Sequence, residues 1–209
     1  MITASIDAAL AWATAHTDTV EGWLDELLSI PSVSTQPNHN DDCRAAAEWL
    51  VRTLDQVGMQ RAQLLETEGH PCVYAEWLDA PDGAPTVLVY GHYDVQPPDP
   101  LDEWTTPPFT PTRPGDGNIY ARGAADDKGQ LLVHVASVAA CIAEGGLPVN
   151  VKFLLEGEEE SGSEHLDQCV RDHAELLAAD VCVISDSHML SAEQPSIVRS
   201  LRGMTYCQI

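Results

Sequence analysis

Thr86-Val87-Leu88-Val89-Tyr90-Gly91-His92-Tyr93-Asp94-Val95-Gln96-Pro97 is the stretch on which the fold turns. Thr86 to Tyr90 is an apolar, β-branched run and reads as a buried strand. Gly91 ends the run, and His92 and Asp94 follow two residues apart. Taken alone, that pair is a polar loop after a strand. A His in this position can also be a metal ligand oriented by the neighbouring carboxylate. Two further strands end in the same manner. Val149 to Leu155 runs into Glu156-Gly-Glu-Glu-Glu160, and Val181 to Ile184 runs into Ser185-Asp186. Open α/β sheets place their sites beyond the carboxyl ends of the strands. Three strands that each deliver His or carboxylate therefore predict one cluster at one edge.

Toward the N-terminus, Ile6, Leu10, Val20, Leu24, Leu27 and Leu28 recur at helical spacing, which predicts one amphipathic helix over 3–29, stopped by Pro31. A polar turn leads to Asn40 and Asp41 as caps and to a second helix over 42–57, closed by Gly58. Strands are expected at 60–67 and 71–78. Beyond the central stretch, residues 97–117 have no period and form a long loop, a kind that is usually functional. A helix is expected from about Asp126 to Ala143, which puts Asp126 and Asp127 at its N-terminus, where carboxylates are also common caps. Ser161 or Ser163 is expected to cap a helix running to Ala178. The strand–helix–strand–helix–strand order from 86 to 186 predicts an α/β fold with a mainly parallel sheet and helices on both faces.

The 209 residues suffice for about one large domain. A net charge of −23 argues against nucleic acid or an anionic membrane as partner, because phosphates are repelled. No apolar segment reaches the roughly 18 residues of a membrane span. Met1 to Asp7 lacks the basic start of a signal peptide. The six cysteines show no CxxC spacing, and Cys141, Cys169 and Cys182 sit in apolar patterns as small core residues. A reducing, cytoplasmic location is the expectation.

The ligand inventory is His92, Asp126, Glu159, Glu160 and Asp186. All are nitrogen or oxygen donors, and two cations sharing a bridging carboxylate would suit them. The single His favours zinc over Mg²⁺ or Mn²⁺. One of the adjacent Glu159 and Glu160 could ligate while the other moves a proton. Spacing alone decides neither which carboxylate bridges nor which Glu is the base. An acidic solvated loop is the plain alternative for 156–160.

Four blocks carry a resemblance: Gly91-His-Tyr-Asp-Val-Gln-Pro97, Ala121-Arg-Gly-Ala-Ala-Asp-Asp-Lys-Gly129, Glu156-Gly-Glu-Glu-Glu-Ser-Gly-Ser163 and Ile184-Ser-Asp186. In content and order they resemble the metal-site blocks of the dizinc exopeptidase family. That family includes carnosinases, bacterial dipeptidases, carboxypeptidase G, aminoacylases and succinyl-diaminopimelate desuccinylase. The dipeptidase branch is the most similar. The resemblance implies two Zn²⁺, with Mn²⁺ or Co²⁺ as alternatives. It implies that His92 and Asp186 bind one ion, Asp126 bridges, Glu160 binds the second, Glu159 is the general base on the attacking water and Asp94 supports the site. It also implies a cis peptide between Asp126 and Asp127.

The family further implies a homodimer when full length, with a lid domain inserted after the Asp186 block and a second-metal His near the end of a longer chain. Leu201-Arg-Gly-Met-Thr-Tyr206 resembles the first strand of that lid. The chain thus reads as an incomplete catalytic domain over 1–198 and the start of an insert at 199–209, and its apolar faces are expected to lie partly uncovered. His173 and His188 match no family ligand. The expected function is metal-dependent hydrolysis of a peptide or N-acyl amide bond in a small substrate such as a dipeptide or acylated amino acid. The alternatives are a non-catalytic fragment retaining partial metal binding and a dinuclear phosphoesterase, for which only Arg122 and Lys128 could hold phosphate.

Overall fold

A computed structural model describes residues 4–191 together with 193, 194, 196–198, 200, 201, 203, 205 and 207. The element order is α1 (Ile6–Ala15), α2 (Thr17–Leu28), α3 (Asn40–Gln56), β1 (Arg61–Leu65), β2 (Cys72–Trp77), β3 (Thr86–His92), α4 (Lys128–Ala143), β4 (Asn150–Glu156), α5 (Leu166–Asp172), α6 (Ala174–Leu177) and β5 (Val181–Ile184). The strands form one sheet in the order β1-β2-β4-β3-β5. β3 lies parallel to both β4 and β5, while β2 is antiparallel to β4 and to β1. Four strands therefore share one direction and β2 alone is reversed.

Helices cover both faces. On one face α3 and α4 bury Leu50, Leu54, Leu131 and Val135 against Val73, Ala75, Val89, Phe153 and Leu155. On the other, Cys169 and Leu177 of α5 and α6 pack against Leu65, Tyr74 and Leu154. β3, expected to be buried, is half-buried over Thr86–Leu88 and at Tyr90 and buried at Val89, Gly91 and His92, since the exposed edge strand β5 covers it poorly.

Two expected helices are each divided. The N-terminal stripe is continuous, yet α1 stops at His16, whose backbone N–H donates to Trp12 and Ala13 while its ring stacks 4.1 Å from Trp12. The Thr17 hydroxyl also donates to Ala13 and Thr14, and such side-chain bonds to carbonyls compete with the helical ladder. Similarly, His173 separates α5 from α6. Neither Ser161 nor Ser163 caps α5; the Ser163 hydroxyl donates to Glu156 at 2.9 Å instead. Asn40 and Asp41 are helical residues of α3 rather than caps. By contrast, Gly58 ends α3 as expected, at φ 95°, with Met59 N donating to Leu54 O and Gly58 N to Asp55 O. Gly145 and Gly146 end α4 with the same pair of bonds.

The 97–117 loop is ordered. Arg113 ties it to α2 through Glu21 at 3.1 Å and Asp25 at 2.9 Å, and Arg122 lies 5.5 Å above the Trp104 ring. β5 leaves apolar side chains in solvent, with Val181 54% and Ile184 62% exposed. The expected insert at 199–209 lies for the most part outside the described residues.

Candidate metal centre

The parallel register decides the site. His92 pairs with Glu156 and Tyr90 with Ile184, so the carboxyl ends of β3, β4 and β5 lie side by side. His92 is the last residue of β3 and fully buried. Asp126 comes from the turn before α4, and Asp186 follows β5 by two residues. Donor atoms of His92, Asp126 and Asp186 all lie within 4.8 Å of one another. His92 Nε2 is 3.0 Å from Asp126 Oδ1 and 3.6 Å from Asp186 Oδ2.

The ring orientation has a cause. His92 Nδ1 donates to the Asp94 carbonyl at 3.0 Å, which leaves Nε2 facing the two carboxylates. Burial opposes charge on His92, but the hydrogen bond and charge of Asp94, with Asp127 and Glu159 nearby, outweigh it and raise its pKa to about 10. The pocket therefore favours positive charge at this point. One imidazole and two carboxylates within this span are a donor set that fits a divalent cation.

Asp94 organises the neighbouring strand end. Its side chain is fully buried; Oδ1 accepts from Glu159 N at 3.2 Å, and Oδ2 accepts from Glu160 N at 3.1 Å and from the Ser34 hydroxyl at 2.6 Å. Both Glu residues are thus carried on backbone bonded to one carboxylate. Glu160 stands outside the three-residue group, and its Oε2 accepts from Gln96 Nε2 at 2.6 Å. The Glu159 carboxyl has no hydrogen-bond partner among the described residues, and burial first, then the surrounding carboxylates, raises its pKa.

Asp127 differs from the expected cap. It occupies the N-cap position of α4 without a capping bond, and its Oδ2 accepts from His92 N at 3.1 Å. Gly91 makes room for this, because a Cβ there would lie 2.6 Å from that oxygen. Burial raises the Asp127 pKa to about 7. The Asp126–Asp127 peptide is cis, as the resemblance implied. Behind the site, Tyr90 donates to Glu156, which also receives Ser163. Ser34 and Gln96 have no role in the sequence reading, and Asp127 stands there only as a helix cap. Ser34 carries no local signal, since its partner is 60 residues away, whereas Asp127 stood inside a quoted block and was read as a cap.

The two residues expected to be able to hold phosphate are engaged elsewhere. Lys128 is fully buried and its Nζ donates to Leu27 O at 2.9 Å and Ile30 O at 2.7 Å. Arg122 donates to Pro97 O and stacks on Trp104.

A model of the family described as Peptidase family M20/M25/M40 matches residues 88–199. The Cys-Gly metallodipeptidase dug1 of Schizosaccharomyces pombe is 34% identical over 198 residues, covering 89% of this chain and 41% of that protein. The human Beta-Ala-His dipeptidase is 34% identical over 221 residues, covering 99% of this chain and 43% of that protein. Among solved structures, the dipeptidase Dug1p of Saccharomyces cerevisiae superposes with a TM-score of 0.81 at 30% identity, covering 89% of this chain and 42% of that one. The chain spans about two fifths of the length of these curated relatives.

Proposed function

Because the chain belongs to peptidase family M20/M25/M40, we propose that it is the metal-binding part of a metallodipeptidase that hydrolyses the peptide bond of small substrates. The convergence of His92, Asp126 and Asp186 on one point carries this reading. In this reading His92, Asp126 and Asp186 would hold a divalent cation, zinc by the donor set, and Asp126 would be shared with a second ion. Glu160, which Gln96 holds at 2.6 Å, would be the donor to that second ion. A bound cation supplies the positive charge that polarises the scissile carbonyl and favours ionisation of water.

The chain's own residues do the rest. Glu159, with a raised pKa and an uncommitted carboxyl, takes a proton from the attacking water and returns it to the amine nitrogen as the C–N bond breaks. Asp94 keeps Glu159 and the His92 ring in place. Residues 1–198 are assigned to the catalytic part and 199–209 to the start of a lid, in an enzyme that is homodimeric at full length and works in the cytoplasm. The relatives' names point to Cys-Gly and β-Ala-His as first substrates, with N-acyl amino acids next. A non-catalytic remnant is less well supported, since the three convergent donors are all retained. The engaged Lys128 and Arg122 weigh against phosphoester substrates.

The test is hydrolysis of Cys-Gly and β-Ala-His by the zinc-loaded protein. Glu159→Ala is expected to reduce the rate by on the order of 10²–10⁴-fold while metal content stays the same. An unchanged rate in that variant would sink the assignment.

A further inference from the structure

β5 is the weakest support in the site. It is four residues long, lies at the sheet edge, and exposes Val181 and Ile184. Its ladder with β3 ends at Tyr90 and Ile184. Asp186 lies beyond that last pair, so strand pairing does not place its carboxylate. Two contacts do. Ser187 N donates to Ser185 O at 2.7 Å, closing a three-residue turn with Asp186 at its centre. The Ser185 hydroxyl is 2.8 Å from His134 Nε2.

His134 sits on α4, and α4 is firmly held. Leu131, Leu132, Val135 and Val138 are buried in the main core. Lys128 anchors its first turn to the end of α2. The turn before α4 carries Asp126. One rigid helix therefore reaches both carboxylates, Asp126 at its start and Asp186 through the His134–Ser185 bond.

We infer that His134 is a positioning residue that holds Asp186 in donor position through the Ser185 hydroxyl. This rests on the reading of Asp186 as a metal ligand. Groups that orient ligands in this way typically change metal affinity by about 10- to 100-fold when removed. His134 makes no contact of its own with the donor group; it restricts where an exposed strand end can go.

Co²⁺ titration of the metal-free 209-residue chain, followed by visible absorption, tests it. His134→Phe and Ser185→Ala are each expected to weaken Co²⁺ binding by on the order of 10- to 100-fold. The double variant should be no weaker than the worse single one, because both remove one bond. His134→Gln, which can still reach the hydroxyl, should recover most of the affinity. Ser185→Ala removes one hydroxyl and keeps the helix intact, so it decides the matter if His134→Phe does not fold. Wild-type binding that Asp186→Ala abolishes but Ser185→Ala leaves at full strength overturns the inference alone. A wild-type chain that binds no Co²⁺ overturns the metal reading and the inference with it.

Discussion

His92 depends on two buried aspartates that act on different parts of it. Asp94 fixes the ring through Nδ1, and Asp127 fixes the backbone through its N–H. Gly91→Ala puts a methyl group 2.6 Å from Asp127 Oδ2. It should destabilise the metal-free chain by about 1–3 kcal/mol, measured by urea unfolding, and an unchanged midpoint would contradict the crowding. Asp94→Asn is more severe than its size suggests. Both carboxylate oxygens accept from donors, so either orientation of the amide sets its NH₂ against an N–H. A loss of about 1.5–3 kcal/mol is expected with chelator present, and the loss should persist in Ser34→Ala, which leaves the two backbone donors in place. Asp94 was legible in the sequence because it stands two residues from His92. Ser34 was not, since the chain must fold across 60 residues to bring it there.

At the scale of elements, Lys128 ties the start of α4 to the end of α2, beside the apolar packing of Leu27 against Leu131. Lys128 Nζ bonds Leu27 O and Ile30 O, carbonyls at the end of α2, where the helix dipole favours positive charge. Burial lowers its pKa to about 7. Lys128→Ala leaves those carbonyls unpaired and a space where the stem lay, and should cost about 3 kcal/mol. A thermal melt within a degree of wild type would show that water substitutes freely. Element type was readable wherever a periodic face met glycine, as at the ends of α3 and α4. It failed at His16 and His173. There the apolar stripe runs on through the break; at His16 the Thr17 hydroxyl's bonds to the Ala13 and Thr14 carbonyls end the helix without altering the pattern.

On the scale of the whole molecule, an excess of 33 acidic over 10 basic residues crowds carboxylates around one buried imidazole. A divalent cation that binds only the folded chain should therefore stabilise it, by about 2.7 kcal/mol at a hundredfold excess over Kd. Calorimetry should show a higher Tm with Zn²⁺ and its reversal by chelator, with neither change in a His92→Ala/Asp186→Ala double variant.

Strand ends, their donors and the family blocks are legible along the chain, because apolar periodicity and motif spacing are local properties. The sequence by itself could not say that Asp127 holds a backbone N–H, that Gln96 holds Glu160, or that His134 reaches Ser185. Those contacts follow from the register of β3 against β4 and β5 and from the seating of α4. Register and the seating of α4 bring together residues 34 to 94 positions apart, and no spacing along the chain encodes that distance. Only packing of the two faces of the sheet sets it.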